Sequence, residues 1–455
     1  MIRNLLMLGV AALALSGCAG APLAESTPDA APIAWTEAAL PAVEPATDRW
    51  WTAVGDPVLD RIVDQAGATS EVRLAEARLF EAQARLGAAR AALAPQISGQ
   101  GTAEREAVDD LDQNTFQALV AFSLDPDLNG AVRTRALAER LRAEGQAARV
   151  EAARLNARAT AVHLYAAYRE AEARAAAGDR AVEALDQSLR LADERERAGL
   201  TSGLDAASAR AALASARARP IAARQAADEA RLGLEALLGL NPGALVETLA
   251  RPTTEPLGAP AVRALAAPAS VLARRPDLRA AELELIASGA DASAARRDFW
   301  PTLSLSAALG GQEVDPETPF TASGFLTQLA AGLTAPLFTF GRLESARDAA
   351  DARAAQAEIA YRQAAVDALS EVETALVALA SAEARTATLE EAARAARDQA
   401  RLADRRYRAG VSPFLEVLTA QRAAADAEAE LASARGAALT AFARLNAATG
   451  LGAQA

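Results

Sequence analysis

The sequence is poor in the residues that build most catalytic and metal sites. It contains one cysteine, Cys18, and one histidine, His163, and all 47 of its basic residues are arginines. These counts exclude a disulfide framework and a metal site made of cysteine and histidine. Carboxylates are plentiful, but no acid–base pair stands apart from the charges expected on helix surfaces. We therefore expect no enzymatic activity, no cofactor, and a packing or surface role for His163.

Large side chains are also scarce. Aromatic residues make up 4% of the chain, and alanine dominates the 51% that is hydrophobic. That composition is too poor for a conventional globular core and favours long helices packed closely together. The formal net charge of -12 argues against a nucleic-acid partner.

The first residues read as an export signal. Arg3 precedes a short apolar run and the small residues before Cys18, an order typical of a secretory leader. The run is too short to span a bilayer permanently, and its end resembles the lipobox of bacterial lipoproteins, which predicts lipidation of Cys18. The alternative is an ordinary leader followed by an incidental cysteine. Residues 19–48 contain five prolines and predict an extended tether.

The chain contains an internal repeat. Residues 195–201, Arg-Glu-Arg-Ala-Gly-Leu-Thr, recur 211 positions later as residues 406–412, Arg-Tyr-Arg-Ala-Gly-Val-Ser. The same offset superposes Gly130 on Gly341, while Pro95 matches Pro301 at an offset of 206. Each copy has the same predicted order, which indicates duplication. The order is a short helix (about 71–93 and 277–299), two strands, a long helix (about 130–198 and 341–409), a glycine turn and a final helix.

The predicted strands rest on alternation with a period of two. One face of the second strand would carry Phe116, Ala118, Val120, Phe122 and Leu124, and the other Gln117, Leu119, Ala121 and Ser123. Runs of about ten such residues suit the strands of a membrane barrel, and a small soluble sheet is the alternative. Four strands cannot close a barrel, and open sheet edges are not tolerated in lipid, so a membrane sheet requires several chains.

The two long helices lack proline and would each span about 100 Å at 1.5 Å per residue. In the second helix, small and apolar residues recur at steps of three and four from Ala346 to Ala382, as in a coiled coil. Val182, Leu185, Leu189 and Ala192 follow the same rhythm in the first. Pro220 interrupts the returning helix and predicts a kink near Arg219.

Together these features resemble the outer membrane factor (TolC-like) family, in its NodT-like or OprM-like lipoprotein branch. The most specific segments are residues 272–282, Leu-Ala-Arg-Arg-Pro-Asp-Leu-Arg-Ala-Ala-Glu, and residues 407–421, from Tyr407 to Gln421. Residues 237–243, Leu-Leu-Gly-Leu-Asn-Pro-Gly, are also similar to the family's exit from its first cylinder helix.

The resemblance implies a mainly α fold with a membrane β-barrel, built with four strands and long coiled-coil helices per chain. Three chains would form a twelve-stranded barrel continuous with a twelve-helix periplasmic α-barrel. The implied function is that of an outer-membrane efflux channel that conducts substrates passively. Its implied partners are two further copies, a periplasmic adaptor, an inner-membrane pump of the RND type, and outer-membrane lipid.

The resemblance also assigns roles to residues at the two glycine turns. The turns would contact the adaptor, and a gate would lie beside them, although Thr419 stands where the family commonly has an acid. The implied adaptor-contacting residues are Arg197, Ala198, Gly199, Leu200, Thr201, Arg408, Ala409, Gly410, Val411 and Ser412. The implied gate residues are Tyr407, Glu416, Thr419 and Asp205.

The predicted organisation has five segments. These are a signal peptide (1–17), a lipidated tether and equatorial segment (18–70), repeat 1 (71–250), a linker (251–275) and repeat 2 (276–452). Two other classes of function stay open from the residues alone. One is a lipid-anchored coiled-coil scaffold of the cell envelope, which would not need the duplicated hairpins. The other is an envelope enzyme, for which the sequence offers no nucleophile, metal or cofactor motif.

Overall fold

The computed structural model describes residues 35–36, 48–108, 111–250, 258–260, 267–313 and 325–452. The predicted leader, Cys18 and most of the predicted tether lie outside these residues. Within them, a short 3₁₀ helix (Trp50–Val54) precedes nine α-helices and four strands. In chain order these are α1 (Pro57–Ala66), α2 (Ser70–Ala91), β1 (Gln96–Val108), β2 (Leu111–Leu124), α3 (Ala131–Arg197), α4 (Gly203–Leu237), α5 (Val246–Leu249), α6 (Pro268–Arg274), α7 (Pro276–Arg297), β3 (Thr302–Glu313), β4 (Phe325–Thr334), α8 (Arg342–Arg408) and α9 (Phe414–Ala448).

The duplication is reproduced in the bounds of the helices. Helices α3 and α8 each have 67 residues, and both their ends differ by 211. Helices α4 and α9, with 35 residues each, keep that offset at both ends, and α2 and α7, with 22 residues each, keep the offset of 206. The predicted repeat is therefore confirmed at the level of elements. A backbone with φ near +70° to +80° precedes each long helix at Gly130 and Gly341, a conformation that favours glycine.

The four strands form one antiparallel sheet in the order β1-β2-β3-β4. β1 and β2 form one hairpin and β3 and β4 the second, while β2 pairs with β3 from Phe116 opposite Glu313 to Leu124 opposite Leu305. The sheet thus joins the two repeats at its centre. Its outer strands, β1 and β4, each pair on one side only among the described residues.

The register sorts the side chains of the sheet into a largely apolar face and a second, mixed face that holds most of the uncharged polar residues, because successive residues of a strand point to opposite faces. Arg105 has the parity of the first face, and the second also carries Leu119, Ala121, Ala308, Leu326 and Ala330. We call the first the apolar face and the second the polar face. The apolar face carries Ile97, Gly99, Gly101, Ala103, Phe116, Ala118, Val120, Phe122, Leu124, Leu303, Leu305, Ala307, Leu309, Gly311, Phe325, Thr327, Leu329, Ala331 and Leu333. The polar face includes Gln96, Ser98, Gln100, Thr102, Gln117, Ser123, Thr302, Ser304, Ser306, Gln312, Gln328 and Thr334. The predicted alternation is confirmed.

The chain divides into two compact units. The described residues of the first unit lie within 83–142 and 282–360 and include the whole sheet. Here α3 and α7 pack through buried Ala138, Ala287 and Ala290, small side chains that allow two helices to approach closely. The Arg142 guanidinium lies on the same contact and pairs with Asp291 of α7.

The second unit has its main core around residues 50–66 and the middle parts of the long helices. Trp51 and Tyr165 are fully buried there, and the Arg169 Nε donates to the Tyr165 hydroxyl at 2.8 Å. After α4, the chain turns around Glu235, whose side chain is 1% exposed. Its carboxylate accepts the backbone N–H groups of Gly243 and Leu245, both at 3.0 Å, and an ion pair from Arg231.

The coiled-coil seam forms in this unit, where Ala368 and Val372 of α8 are buried. Ala346, at the start of the predicted seam, is exposed in the single chain. Helix α4 runs through Pro220, which is buried against Gly178, so the proline does not end the helix, and the kink stays a prediction. His163 is exposed, and its Nδ1 lies 3.4 Å from the Thr440 hydroxyl. Among the described helices, none is long and apolar enough to cross a membrane.

Candidate functional site

The candidate site lies where the two long helices end and the chain reverses. Helix α3 ends at Arg197, and the N–H groups of Gly199 and Leu200 donate to the carbonyls of Glu196 and Arg195, both at 2.9 Å. Gly199 has φ +70°. This bonding pattern is a Schellman cap, whose left-handed residue is usually glycine. The predicted glycine turn of the first repeat is therefore confirmed.

The second repeat builds the same cap. Helix α8 ends at Arg408, and the N–H groups of Gly410 and Val411 donate to the carbonyls of Tyr407 and Arg406 at 2.9 and 3.0 Å. Gly410 has φ +76°. We call residues 198–202 and 409–413 the tip turns. Both turns reverse the chain into a 35-residue helix that returns alongside the long one.

Each tip turn, together with the first turn of the helix that follows it, presents two large apolar side chains to solvent. Leu200 and Leu204 are 67% and 71% exposed in the first repeat, and Val411 and Leu415 are 64% and 71% exposed in the second. The two pairs occupy equivalent positions, because each member of one lies 211 residues from its counterpart. Of the remaining predicted contact residues, Thr201 and Ser412 are half-buried and the others are exposed.

Beneath the turns, the ends of α3, α4, α8 and α9 share one buried cluster, which we call the tip cluster. It is formed mainly by small and aliphatic side chains around two aromatic rings. Its members are Leu185, Ala192, Ala206, Ala209, Leu213, Ala216, Ala403, Tyr407, Phe414, Val417, Leu418 and Ala420. The Tyr407 and Phe414 rings pack with their centroids 5.0 Å apart.

Tyr407 joins the two helical hairpins. Its side chain is 3% exposed, and its hydroxyl donates to the Asp205 carboxylate of α4 at 3.2 Å. Two predicted gate residues are therefore in contact. Burial raises the pKa of Tyr407, and the negative charge of Asp205 raises it further, so the phenol keeps its proton and remains a donor at neutral pH.

Arg195 of α3 makes a second link between the hairpins. Its Nη1 donates to the Tyr407 carbonyl at 2.9 Å, and its guanidinium carbon lies 4.8 Å from the centroid of the Tyr407 ring. A cation is favourable here because the last carbonyls of α8 have no partner within the helix and carry its partial negative charge. We call Arg195, Asp205 and Tyr407 the tip latch.

The duplication offers two equivalent positions for the contact between Tyr407 and Asp205, and the contact can form at only one of them. The repeat offset relates Tyr407 to Glu196 and Asp205 to Glu416, so the equivalent contact would join two carboxylates. Two ionised carboxylates cannot form that hydrogen bond and repel each other. This divergence explains why Glu416 is exposed and outside the tip cluster. Thr419 is exposed too, and its hydroxyl donates to the Leu415 carbonyl of its own helix at 2.8 Å.

Sequence reasoning missed Arg195 as a member of this site. The residue opens the repeated segment Arg-Glu-Arg-Ala-Gly, so the signal was present, but its partner in the other hairpin could not be read from one helix. It also missed the bond from Gln421 Nε2 to the Ser188 hydroxyl at 2.8 Å. The described residues contain no group of three acidic, histidine or cysteine side chains placed to hold a metal.

Comparison with known proteins gives consistent matches along nearly the whole chain. The model of a family described as outer membrane efflux protein matches residues 67–240 and 267–451. The pyoverdine export outer membrane protein OpmQ of Pseudomonas aeruginosa is 31% identical, with 95% of this chain and 94% of the relative covered. The probable efflux pump outer membrane protein TtgC of Pseudomonas putida is 27% identical, with coverage of 93% and 90%.

Solved structures share the fold. The outer-membrane channel OprN superposes with a TM-score of 0.87 at 26% identity, covering 94% of this chain and 98% of that one. The outer membrane protein VceC of Vibrio cholerae gives a TM-score of 0.80 at 23% identity, with coverage of 90% and 100%. The mainly helical fold with four strands per chain is therefore that of known outer-membrane channel proteins.

Proposed function

The chain belongs to the outer membrane efflux protein family and is the outer-membrane channel component of an efflux system, and from this premise we propose that three copies form one conduit, closed at its tip turns. Family membership sets the location in the outer membrane and the role in export.

The sheet supports a wall shared between copies. Its apolar face would contact lipid and its polar face a water-filled passage, as in membrane barrels. In the part of the chain that the structure describes, one copy contributes four strands and leaves β1 and β4 with one unpaired edge each. Because lipid offers no hydrogen bonds, those edges must pair with other chains. Three copies give twelve strands.

The tip turns support contact with a periplasmic adaptor. Apolar surface stays exposed at the ends of both helical hairpins, on Leu200, Leu204, Val411 and Leu415. Exposed apolar groups clustered at the end of a helical hairpin are typical of a protein contact. We assign them, with the neighbouring residues of both turns, to the adaptor. The adaptor in turn connects the conduit to an inner-membrane pump, which we propose is of the RND type.

The tip latch supports a gate. Movement of the α8–α9 hairpin away from the α3–α4 hairpin would break the bond from Tyr407 to Asp205 and those from Arg195 to the end of α8. Each of these bonds has one charged partner, and such a bond contributes about 1.5–3 kcal/mol. If three copies open together, losing about 1.5 kcal/mol in each shifts the equilibrium by about 4.5 kcal/mol, more than roughly a thousandfold. Glu416 and Thr419 would then lie at the tip end of the conduit but would take no part in the latch.

Single-channel recording tests this gate. In planar bilayers we expect purified protein to be mostly closed, and Tyr407→Phe or Asp205→Ala to raise the open probability many-fold. The double variant should add little to either single change, because both remove the same bond. Asp186→Asn, which removes a surface pair with Arg190 within α3, is the control and should stay closed. Closed currents unchanged in both latch variants would refute the gate.

Membrane attachment and domain limits complete the proposal. We assign Cys18 as the lipidated first residue of the mature chain, residues 18–70 as tether and equatorial segment, 71–250 and 276–452 as the two repeats, and 251–275 as their linker. Mass spectrometry of the amino-terminal peptide tests the lipid, since acyl chains add a fixed mass. A free thiol at that position would refute the assignment.

A further inference from the structure

A charged cavity lies where α7 leads into β3 and where α8 begins. It has a volume of about 460 Å³, is open to solvent, and is lined by Arg296, Phe299, Arg347, Asp348 and Asp351. All of these residues belong to the first compact unit, and none belongs to the tip turns or the tip latch. We call it the junction cavity. The channel features assigned above leave its charges without a role.

The junction cavity presents two cations and two anions. The Arg296 Nη2 donates to the Asp351 carboxylate at 2.6 Å, and the Arg347 Nε and Nη2 donate to the Asp348 carboxylate at 3.0 and 2.8 Å. A guanidinium has five N–H donors, so among the described residues both arginines keep donors for another anion. Ion pairs as exposed as these contribute little to stability. The cavity is therefore neutral as a whole and can rearrange around a charged ligand at little cost.

The first repeat does not preserve this set of charges. By the offset of 206, Arg296 corresponds to Arg90, but by the offset of 211, Asp348 and Asp351 correspond to Leu137 and Arg140. The long helix nevertheless has the same length in both repeats. The shared fold thus forms without the two acids, and packing alone does not account for them.

The connections between helix and sheet on either side of the cavity expose large apolar side chains. Phe299 and Trp300, which follow α7, are exposed, and Leu337, Phe338 and Phe340, which precede α8, are 75–94% exposed. The rings of Phe338 and Phe340 pack with their centroids 4.4 Å apart. Aromatic residues at the end of a membrane span are typical of the boundary between hydrocarbon and water. In the proposed function, this end of the sheet therefore marks the limit of the hydrocarbon on the side of the helices.

The junction cavity is close to that boundary. Helix α8 begins at Arg342, so Arg347 and Asp351 lie about 8 and 14 Å along it at 1.5 Å per residue. The polar layer of a bilayer extends about 5–8 Å beyond each side of its hydrocarbon core, and long arginine side chains reach toward that layer. A lipid headgroup at the boundary is therefore within reach of both guanidinium groups.

We propose that the junction cavity binds the phosphoethanolamine headgroup of a phospholipid in the leaflet that faces the helices. The phosphate accepts N–H groups from Arg296 and Arg347. The ammonium group donates to Asp348 and Asp351, and Phe299 packs against the glycerol. This headgroup carries one negative and one positive charge, which matches the neutral cavity. The inference rests on the proposed function, because only a sheet placed in lipid brings headgroups to this level.

Other common headgroups match the cavity less well. Phosphatidylglycerol brings a phosphate without a cation, so the two carboxylates repel it without compensation. Phosphatidylcholine has a cation without N–H groups, which cannot donate a hydrogen bond to Asp348 or Asp351. We therefore expect phosphatidylethanolamine to bind better than either.

Native mass spectrometry of the full-length protein tests this site. Delipidated protein in mild detergent is mixed with phosphatidylethanolamine, phosphatidylcholine and phosphatidylglycerol that have identical acyl chains, and it should retain the first in preference. Arg296→Gln should weaken that binding about tenfold, because a hydrogen bond between two charged groups is lost. Arg90→Gln removes the same charge at the equivalent position of the first repeat and is the matched control, which should bind as the wild type does.

Replacing the acids gives a second readout, which has a direction. Asp348→Asn combined with Asp351→Asn leaves two cations without anions, so the preference should change from phosphatidylethanolamine to phosphatidylglycerol. A purely structural role of the two ion pairs would not reverse it. Water-soluble glycerophosphoethanolamine, added at the concentration of the lipid, should not displace the lipid, whose acyl chains hold it in the detergent around the sheet.

The outcomes separate this inference from the function beneath it. Equal retention of the three lipids, unchanged in the arginine and aspartate variants, would mean adventitious lipid only and would overturn the proposal. Displacement by the soluble headgroup would also overturn it, since the cavity would then take a solute. In both cases the channel stands if the same preparation conducts in planar bilayers. A preparation that shows the lipid preference but never conducts, even in the latch variants, would overturn the channel instead.

Discussion

Substituting Leu329 by arginine places a charge on the face of the sheet that we assign to lipid. Leu329 is 86% exposed in the single chain and lies at the fifth of the ten positions of β4. Ten strand residues span about 34 Å, and a tilt near 45° reduces this to about 24 Å, close to the apolar band of membrane barrels. Leu329 should therefore lie near the middle of the bilayer.

The expected cost follows from that depth. An arginine at the midplane of a membrane barrel costs about 2–4 kcal/mol relative to an apolar residue. Three copies carry three such charges, so Leu329→Arg should cost about 6–12 kcal/mol per assembly if the contributions add. That range is comparable to the whole stability of many folded proteins. We expect the variant to be exported but to assemble poorly.

The assay compares this variant with a change one residue away. Gln328→Arg puts the same charge on the polar face of the same strand, which we assign to the water-filled passage. Folded assemblies in outer membranes are quantified as the heat-sensitive band on gels run without boiling. Gln328→Arg should keep most of that band and Leu329→Arg should lose most of it. Equal behaviour of the two variants, or the reverse order, would refute the assignment of the faces.

Two further predictions concern packing that the structure shows in detail. An added Cβ on Gly310 would overlap the Ala118 carbonyl oxygen, so Gly310→Ala should disrupt the pairing of β2 with β3 and remove the folded band. Gly99→Ala is the control and should keep the band, because an added Cβ there would meet nothing within 4 Å. Glu235→Ala leaves the buried N–H group of Leu245 without its acceptor and also removes the acceptor of the more exposed Gly243 N–H group. It should cost about 1–3 kcal/mol in the unfolding of the helical part, measured by circular dichroism at pH 7. Burial alone would raise the pKa of Glu235, but the two backbone donors and Arg231 lower it below its ordinary value of about 4.5. The stability that the Glu235 carboxylate contributes is therefore fully present above that value and is lost as the pH falls through the lower pKa of the folded state. The difference in unfolding free energy between wild type and variant should accordingly shrink in acid.

Much of the fold could be predicted because the duplication repeats the order of helices and strands, so that each boundary has a counterpart in the other repeat. Gly199 and Gly410 were recognisable as helix ends since a left-handed residue there favours glycine, and both adopt it. The strands were recognisable from their alternation, which the register confirms. Bounds were less accurate at the short helices, where the last predicted residues, such as Leu93, fall outside α2.

The contacts between hairpins could not be predicted, because they join residues far apart in the chain. Arg195, for example, meets the carbonyl of Tyr407, 212 residues ahead. Glu235 shows the same limit at short range, because its two N–H donors lie in a loop eight to ten residues ahead whose path the sequence does not reveal. An arginine and a glutamate at such positions look like the many surface charges of these helices until the fold brings their partners close. For Glu416 the sequence suggested a role but not an environment. Its position resembles a gate position of the family, yet its side chain is exposed in the structure.

The claim that one chain supplies only a third of the membrane wall is tested most directly by weighing the assembly. Native mass spectrometry of the particle extracted from outer membranes in mild detergent should give three copies of the chain. A particle with a single copy that still conducts ions in planar bilayers would contradict the account, because β1 and β4 would then have to satisfy their edges without a neighbour.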